Sequence, residues 1–128
     1  MRIIRFSDVL LLYAEALNEL GRTAEAYPFI TKVRVRSKMR PLDAAYPNMS
    51  QQQMREQIWH ERVVELGGEE QRFFDLKRYG LLETQEGVNK LAEGDADFNF
   101  FQVGKSALLP IPLNELDINP KLRQNPGW

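Results

Sequence analysis

The 128-residue chain contains no cysteine. Disulfides, thiolate catalysis and cysteine-ligated zinc are therefore excluded, while the redox compartment stays open. Histidine occurs once, as His60. The zinc-protease helix motif H-E-x-x-H cannot form around it, because Val64 stands where the second imidazole is needed. Charge of one sign is not in excess. Lys and Arg total 17 against 18 Asp and Glu, for a net charge of −1, which leaves no electrostatic footprint for nucleic acid or a polybasic membrane patch. No apolar run nears the ~20 residues that span a bilayer. The opening MRIIRFSDVLLLYAEAL is cut by Arg5, Asp8 and Glu15 and reads as neither signal peptide nor transmembrane helix. No Gly-rich phosphate cradle, nucleophile elbow or Ser/His/Asp set is present, so no cofactor is expected.

What is there is an ordinary soluble composition, 43% hydrophobic and 27% charged, enough for one domain over residues 1–128 with a modest core. Phe6, Val9, Leu10, Tyr13, Leu17 and Leu20 recur at steps of three and four, which predicts an amphipathic helix with Ser7 or Asp8 at its start and Gly21 at its end. Leu11 and Leu12 lie off that stripe, so the helix should touch neighbours on more than one side. A second helix follows from about Thr23, with Ala26, Phe29, Ile30 and Val33 on one face and Pro28 inside it. The link is short enough to make the pair antiparallel. Gly21, Ala26, Ile30 and Val33 approximate the second half of a tetratricopeptide repeat. A lone hairpin of this kind cannot bury both faces, so either other elements cover it or its partners are missing.

Residues 39 to 49, with Pro41, Pro47 and Asn48, read as a loop. Ser50 and Gln53 form a capping box that opens a helix to about Leu66, with Met54, Ile58, Trp59, Val63 and Leu66 inward. Gly67 and Gly68 should kink it before a continuation ending at Gly80. From Leu81 to Lys105 the pattern is polar and aperiodic. ALLPIP is expected to be extended, and LNELDINP to form one helical turn before Asn119-Pro120 stops it. The fold class predicted is mainly α, a tetratricopeptide-like hairpin plus further helices with an irregular Pro-rich C-terminal segment.

The stretch HERVVELGGEEQRFFDLKRYG collects the charges that look most like chemistry. Glu61, Glu65, Glu69 and Asp75 offer acid–base groups, but they lie along one continuous helical reading rather than across a cleft. Spacing of this kind suits ion pairing. Arg62 falls inside the apolar arc, and its guanidinium needs a carboxylate there, with Glu65 or Asp75 the expected partner. Arg62, Glu65, Arg72 and Asp75 are thus read as structural ion-pair residues, and no catalytic or metal-ligating residue is assigned. Exposed aromatics are the usual platform for sugar rings. Tyr46, Phe98, Phe100 and Phe101 lie in loops and are the candidate ligand contacts, together with Trp128.

Jointly, RFSDVLLLYAEALNELG, ITKVRVRS, IWHERVVEL, QRFFDLKRYG and LLPIPLNELDINPKLRQNPGW resemble the C-terminal region of the SusD/RagB family, surface glycan-binding lipoproteins of Bacteroidetes nutrient uptake. The resemblance implies a scaffold of tetratricopeptide-like hairpins that packs on a SusC-like TonB-dependent transporter in the outer membrane. It implies capture of an oligosaccharide or polysaccharide ligand without catalysis. Family members are several times longer and begin with a lipoprotein signal, so the chain is expected to be a fragment with an exposed apolar face. No family ligand motif maps onto a position here. A different class of reading, a small tetratricopeptide-like protein–protein interaction module that binds no sugar, stands beside this one.

Overall fold

The computed structural model describes residues 4–128, so the first three residues of the opening apolar run lie outside it. The elements are α1 (Phe6–Glu19), α2 (Thr23–Arg36), a single turn α3 (Leu42–Ala45), α4 (Gln51–Glu65), α5 (Arg72–Arg78), α6 (Gln85–Ala92), a 3-10 turn (Ala96–Phe100) and α7 (Leu113–Ile118). Among the described residues there is no strand, as the mainly α reading expects. Two compact units result, one reaching Arg72 and the other running from Phe73 to Trp128.

In the first unit α1 and α2 form the hairpin, and α4 covers it by packing on both. Gly21, at φ +76°, closes α1: its N–H donates to Asn18 O and that of Arg22 to Leu17 O, both at 2.9 Å. Asn18 is fully buried and joins three helices. Its Nδ2 donates to Gln51 O at 2.9 Å, its Oδ1 accepts from Thr23 Oγ1 at 2.8 Å, and its backbone O accepts from Gln51 Nε2 at 2.7 Å. Around this point Leu11, Ala14, Leu17, Ala26, Ile30, Val33, Leu42, Met54 and Ile58 make the core.

Several local expectations are corrected. The core face of α1 is Leu11, Ala14 and Leu17, whereas Phe6 is 74% and Leu20 72% exposed and Val9 and Tyr13 lie about half in solvent. The helix carries two apolar faces, and the buried one, with the short Ala14, belongs to the same core as Ala26 of α2. Periodicity alone cannot choose between two such faces. Tyr13 still meets Phe29 edge-on, with ring centroids 4.6 Å apart. The cap of α1 is Arg5, whose side chain makes no capping bond to the helix, and Ser7 and Asp8 fall in the first turn. In α4 the capping box is present: Gln53 N–H donates to Ser50 Oγ at 3.2 Å and Ser50 N–H to Gln53 Oε1 at 2.9 Å. Its inward face holds Met54, Ile58, Glu61, Arg62 and Leu66, while Val63 is 41% exposed and Trp59 half-buried. The ion pairs of Glu61 and Arg62 turn the helix away from the purely apolar solution. The chain then breaks rather than kinks, since Gly68 and Glu70 both adopt left-handed φ, +77° and +61°.

The second unit contains an element that was not expected. Thr84 Oγ1 accepts from Gly87 N–H at 3.1 Å and starts α6, which buries Val88; Leu82, before the cap, is buried as well. Val88, Leu91 and Ala92 recur at helical spacing behind the Thr84 cap, a local signal that the reading of this stretch as aperiodic passed over. Its C-terminal stretch explains the proline-rich motifs. Ile111 N–H donates to Gln124 Oε1 (2.8 Å) and Gln124 Nε2 returns to Ile111 O (2.9 Å), Asn125 Nδ2 donates to Leu109 O (2.6 Å), and Trp128 Nε1 donates to Leu108 O (3.0 Å). L-P-I-P and Q-N-P-G-W are two halves of one clasp, with side chains supplying the hydrogen bonds that a neighbouring strand would supply elsewhere.

Two stability outcomes follow from this packing. Arg34→Ala should cost about 3–5 kcal/mol in urea unfolding, because it strands the buried Glu61 carboxylate. Arg34→Met combined with Glu61→Leu should recover most of that loss; a double variant as unstable as the single one would show that the pair's geometry, and not the orphaned charge, sets the cost. A Cβ added at Gly87 would stand 2.3 Å from Leu81 O, so Gly87→Ala should raise amide exchange across α6 sharply. Unchanged exchange there would contradict the tight approach.

Candidate ligand-binding site

The charged helix face is engaged in packing. Glu61 on α4 bonds the Arg34 guanidinium of α2, and both are buried. Arg34 Nε also donates to Arg40 O at 2.8 Å. Arg62 NH1 donates to Asp8 on α1 at 2.7 Å, a partner that the spacing along α4 did not suggest because it is far away in sequence. Glu65 accepts from Arg36 at 2.7 Å and lies 3.1 Å from Arg5, which in turn meets Glu69 at 2.8 Å. Arg55 reaches Glu19 at 2.6 Å; its hydrogen bond holds the Glu19 carboxyl below the ordinary glutamate range. The tie it makes between α1 and α4 is therefore complete above that range and is lost as pH falls through the lowered value. In the second unit Asp75 accepts from Arg78 at 3.0 Å; Arg72, the last residue of the first unit, is exposed, with no ion pair among the described residues.

These bonds define what the carboxylates can do. A general acid or base needs a free approach to substrate. Glu61 is instead engaged by the Arg34 guanidinium, and Glu65 by those of Arg36 and Arg5. His60 is exposed, and among the described residues no group of three His, Asp or Glu could hold a metal ion.

The loop aromatics divide between the two units. Phe98 and Phe101 are half-buried against each other, ring centroids 6.1 Å apart, while Phe100 is 84% exposed. Their loop is anchored by Asp95, whose side chain accepts from Asp97 N–H at 3.1 Å. Tyr46 borders a shallow cavity of about 470 Å³ whose rim includes Asn48, Met49, Gln53 and Glu56. This rim is polar, and its segment is tied to α2: the Tyr27 hydroxyl donates to Tyr46 O at 3.0 Å and accepts from Met49 N–H at 2.8 Å. Leu42 N–H donates to Thr31 Oγ1 at 3.1 Å. The stretch read as a loop is thus partly helical and pinned, a consequence of hydroxyls on α2 that no local pattern in residues 39 to 49 reveals. A second cavity, about 480 Å³, opens at the start of α1 between Phe6, Leu10, Lys32 and Arg36. No helix among the described residues is long and apolar enough to cross a membrane.

Comparison with known proteins agrees with the helical scaffold. The SusD family model matches residues 1–128. SusD-like protein P25 of Formosa agariphila is 35% identical over 128 residues, covering 96% of this chain and 23% of that protein. SusD-like protein P2 of the same organism is also 35% identical, covering 98% of this chain and 25% of its own length. The chain thus spans about a quarter of the curated relatives it matches. Among solved structures, a SusD homolog from Bacteroides thetaiotaomicron superposes with a TM-score of 0.79 at 34% identity, covering 98% of this chain and 26% of that one. A SusD superfamily protein from Bacteroides vulgatus gives 0.79 at 33% identity, covering 99% and 27%. With the match running the whole length of a chain built as an all-helical scaffold, the protein belongs to the SusD family.

Proposed function

We propose that this chain is the C-terminal scaffold of a surface lipoprotein that captures oligosaccharide at the outer membrane and passes it, unchanged, to a SusC-like TonB-dependent transporter. The observation that carries this reading is family membership along the whole chain, together with signature charges that are used to join helices. Arg34–Glu61, Arg62–Asp8 and Arg36–Glu65 link α1, α2 and α4, which is scaffold work and supports binding without catalysis. Aromatic side chains on anchored loops, Tyr46 in one unit and Phe98, Phe100 and Phe101 in the other, supply surfaces for sugar rings.

One feature favours a second reading. The solvent-facing strip of α1, with Phe6, Val9 and Leu20 exposed, is the kind of apolar surface that interaction modules present to a protein partner.

Affinity electrophoresis of the chain through gels containing starch, xylan, mannan, laminarin or pectin separates the two. Retardation by at least one polysaccharide, with reducing-end release from the same polymers at the blank level, is expected for glycan capture. Free migration through all five would leave the interaction module as the standing reading, and release of reducing ends would replace both with an enzyme.

A further inference from the structure

The hollow beside Tyr46 has unused bonding capacity of a particular kind. Gln53 spends its Oε1 on the capping box, which leaves both donors of its Nε2 open. Glu56 spends one carboxylate oxygen on Gln52 Nε2 at 2.8 Å and keeps the other as an acceptor. The Asn48 side chain and the Tyr46 hydroxyl have no hydrogen-bond partner among the described residues. Donor, acceptor and amphoteric groups therefore stand around one aromatic ring. The Arg34 guanidinium lies 6.0 Å from the centroid on one side of that ring, and the residue is 49% exposed, so the other side is available.

Sugar rings match this set. Each hydroxyl both donates and accepts, so adjacent hydroxyls bind side-chain amides and carboxylates in pairs, and the ring's C–H face stacks on an aromatic side chain. The cavity, about 470 Å³, falls in the ~300–1,000 Å³ range of small-molecule sites. Charge narrows the class. Arg34 is already neutralised by Glu61, and the rim's own charge is the Glu56 carboxylate, which disfavours an anionic ligand. The rim is also held before any ligand arrives, by the Tyr27 hydroxyl on Tyr46 O and Met49 N–H and by the capping box. Little loop ordering remains to be done on binding.

We propose that the Tyr46 hollow is a subsite for a neutral pyranose unit, stacked on Tyr46 with its hydroxyls held by Asn48, Gln53 and Glu56. This rests on the glycan-capture reading and gives it a place and a sugar class. The test is NMR titration of the 128-residue chain with maltohexaose, cellohexaose, xylohexaose and mannohexaose, and with oligogalacturonate as the anionic comparison. At least one neutral hexasaccharide should shift the Tyr46 ring and the Asn48 and Gln53 side-chain amides, and oligogalacturonate should not. Tyr46→Ala should weaken that binding about tenfold or more, and Glu56→Ala by a smaller factor. Both variants should keep Met49 amide protection, because Tyr46 contributes only its backbone carbonyl to the Tyr27 clasp. Binding that persists undiminished in Tyr46→Ala, with shifts confined to Phe98 and Phe101, would overturn the subsite and leave glycan capture standing. Tighter binding of oligogalacturonate would overturn the sugar class, and no shift with any of the five would overturn the subsite, while the capture reading is decided separately by the gel retardation.

Discussion

Everything in the first unit depends on a guanidinium and a carboxylate buried between α2 and α4. Arg34 and Glu61 are both nearly inaccessible to water, and each alone would be a costly guest in that interior. Paired, they fix the rotation of α4 about its axis. Glu61 must face Arg34, and Arg62 then turns toward Asp8 on α1. Glu65, a turn further on, meets Arg36 and Arg5. The apolar residues fill what this arrangement leaves, which is why Val63 emerges into solvent although helical spacing would bury it.

The same arginine reaches toward the candidate site. Its Nε holds Arg40 O, and its guanidinium lies beside the Tyr46 ring. The segment from Pro41 to Met49 thereby inherits its position from α2, through Thr31, Arg34 and Tyr27. Binding surfaces are commonly carried on loops held by a rigid frame. Here the charges of the signature build the frame, and the polar rim of the hollow stands on it. Asn18 does the same for the helix ends, joining α1, α2 and α4 through one buried amide.

Much of this architecture was legible in the residues. The helical hairpin, the turn at Gly21, the capping box at Ser50 and the stop at Gly80 are local devices, each satisfied by neighbours a few positions away. The charged stretch could be recognised as packing rather than chemistry because its carboxylates share one helical segment. What stayed hidden has a common cause. The pairing of Arg62 with Asp8, the facing of α1 and the anchoring of Tyr46 all rest on residues brought together from a distance, whereas the helix at Gln85–Ala92 starts from a local cap at Thr84.

The sequence by itself determined the antiparallel hairpin, the capped helix that follows it and the class of interaction that joins them, because propensity, capping and charge pairing act over a turn or two of chain. Only the tertiary structure decided which of two apolar faces of α1 is core, which carboxylate meets which arginine, and which loop aromatic stands over a polar hollow. These are choices between arrangements of nearly equal local merit. The burial of Ala14 in one core with Ala26 of α2 and the burial of Arg34 with Glu61 settle them, and both exist only once three helices have come together.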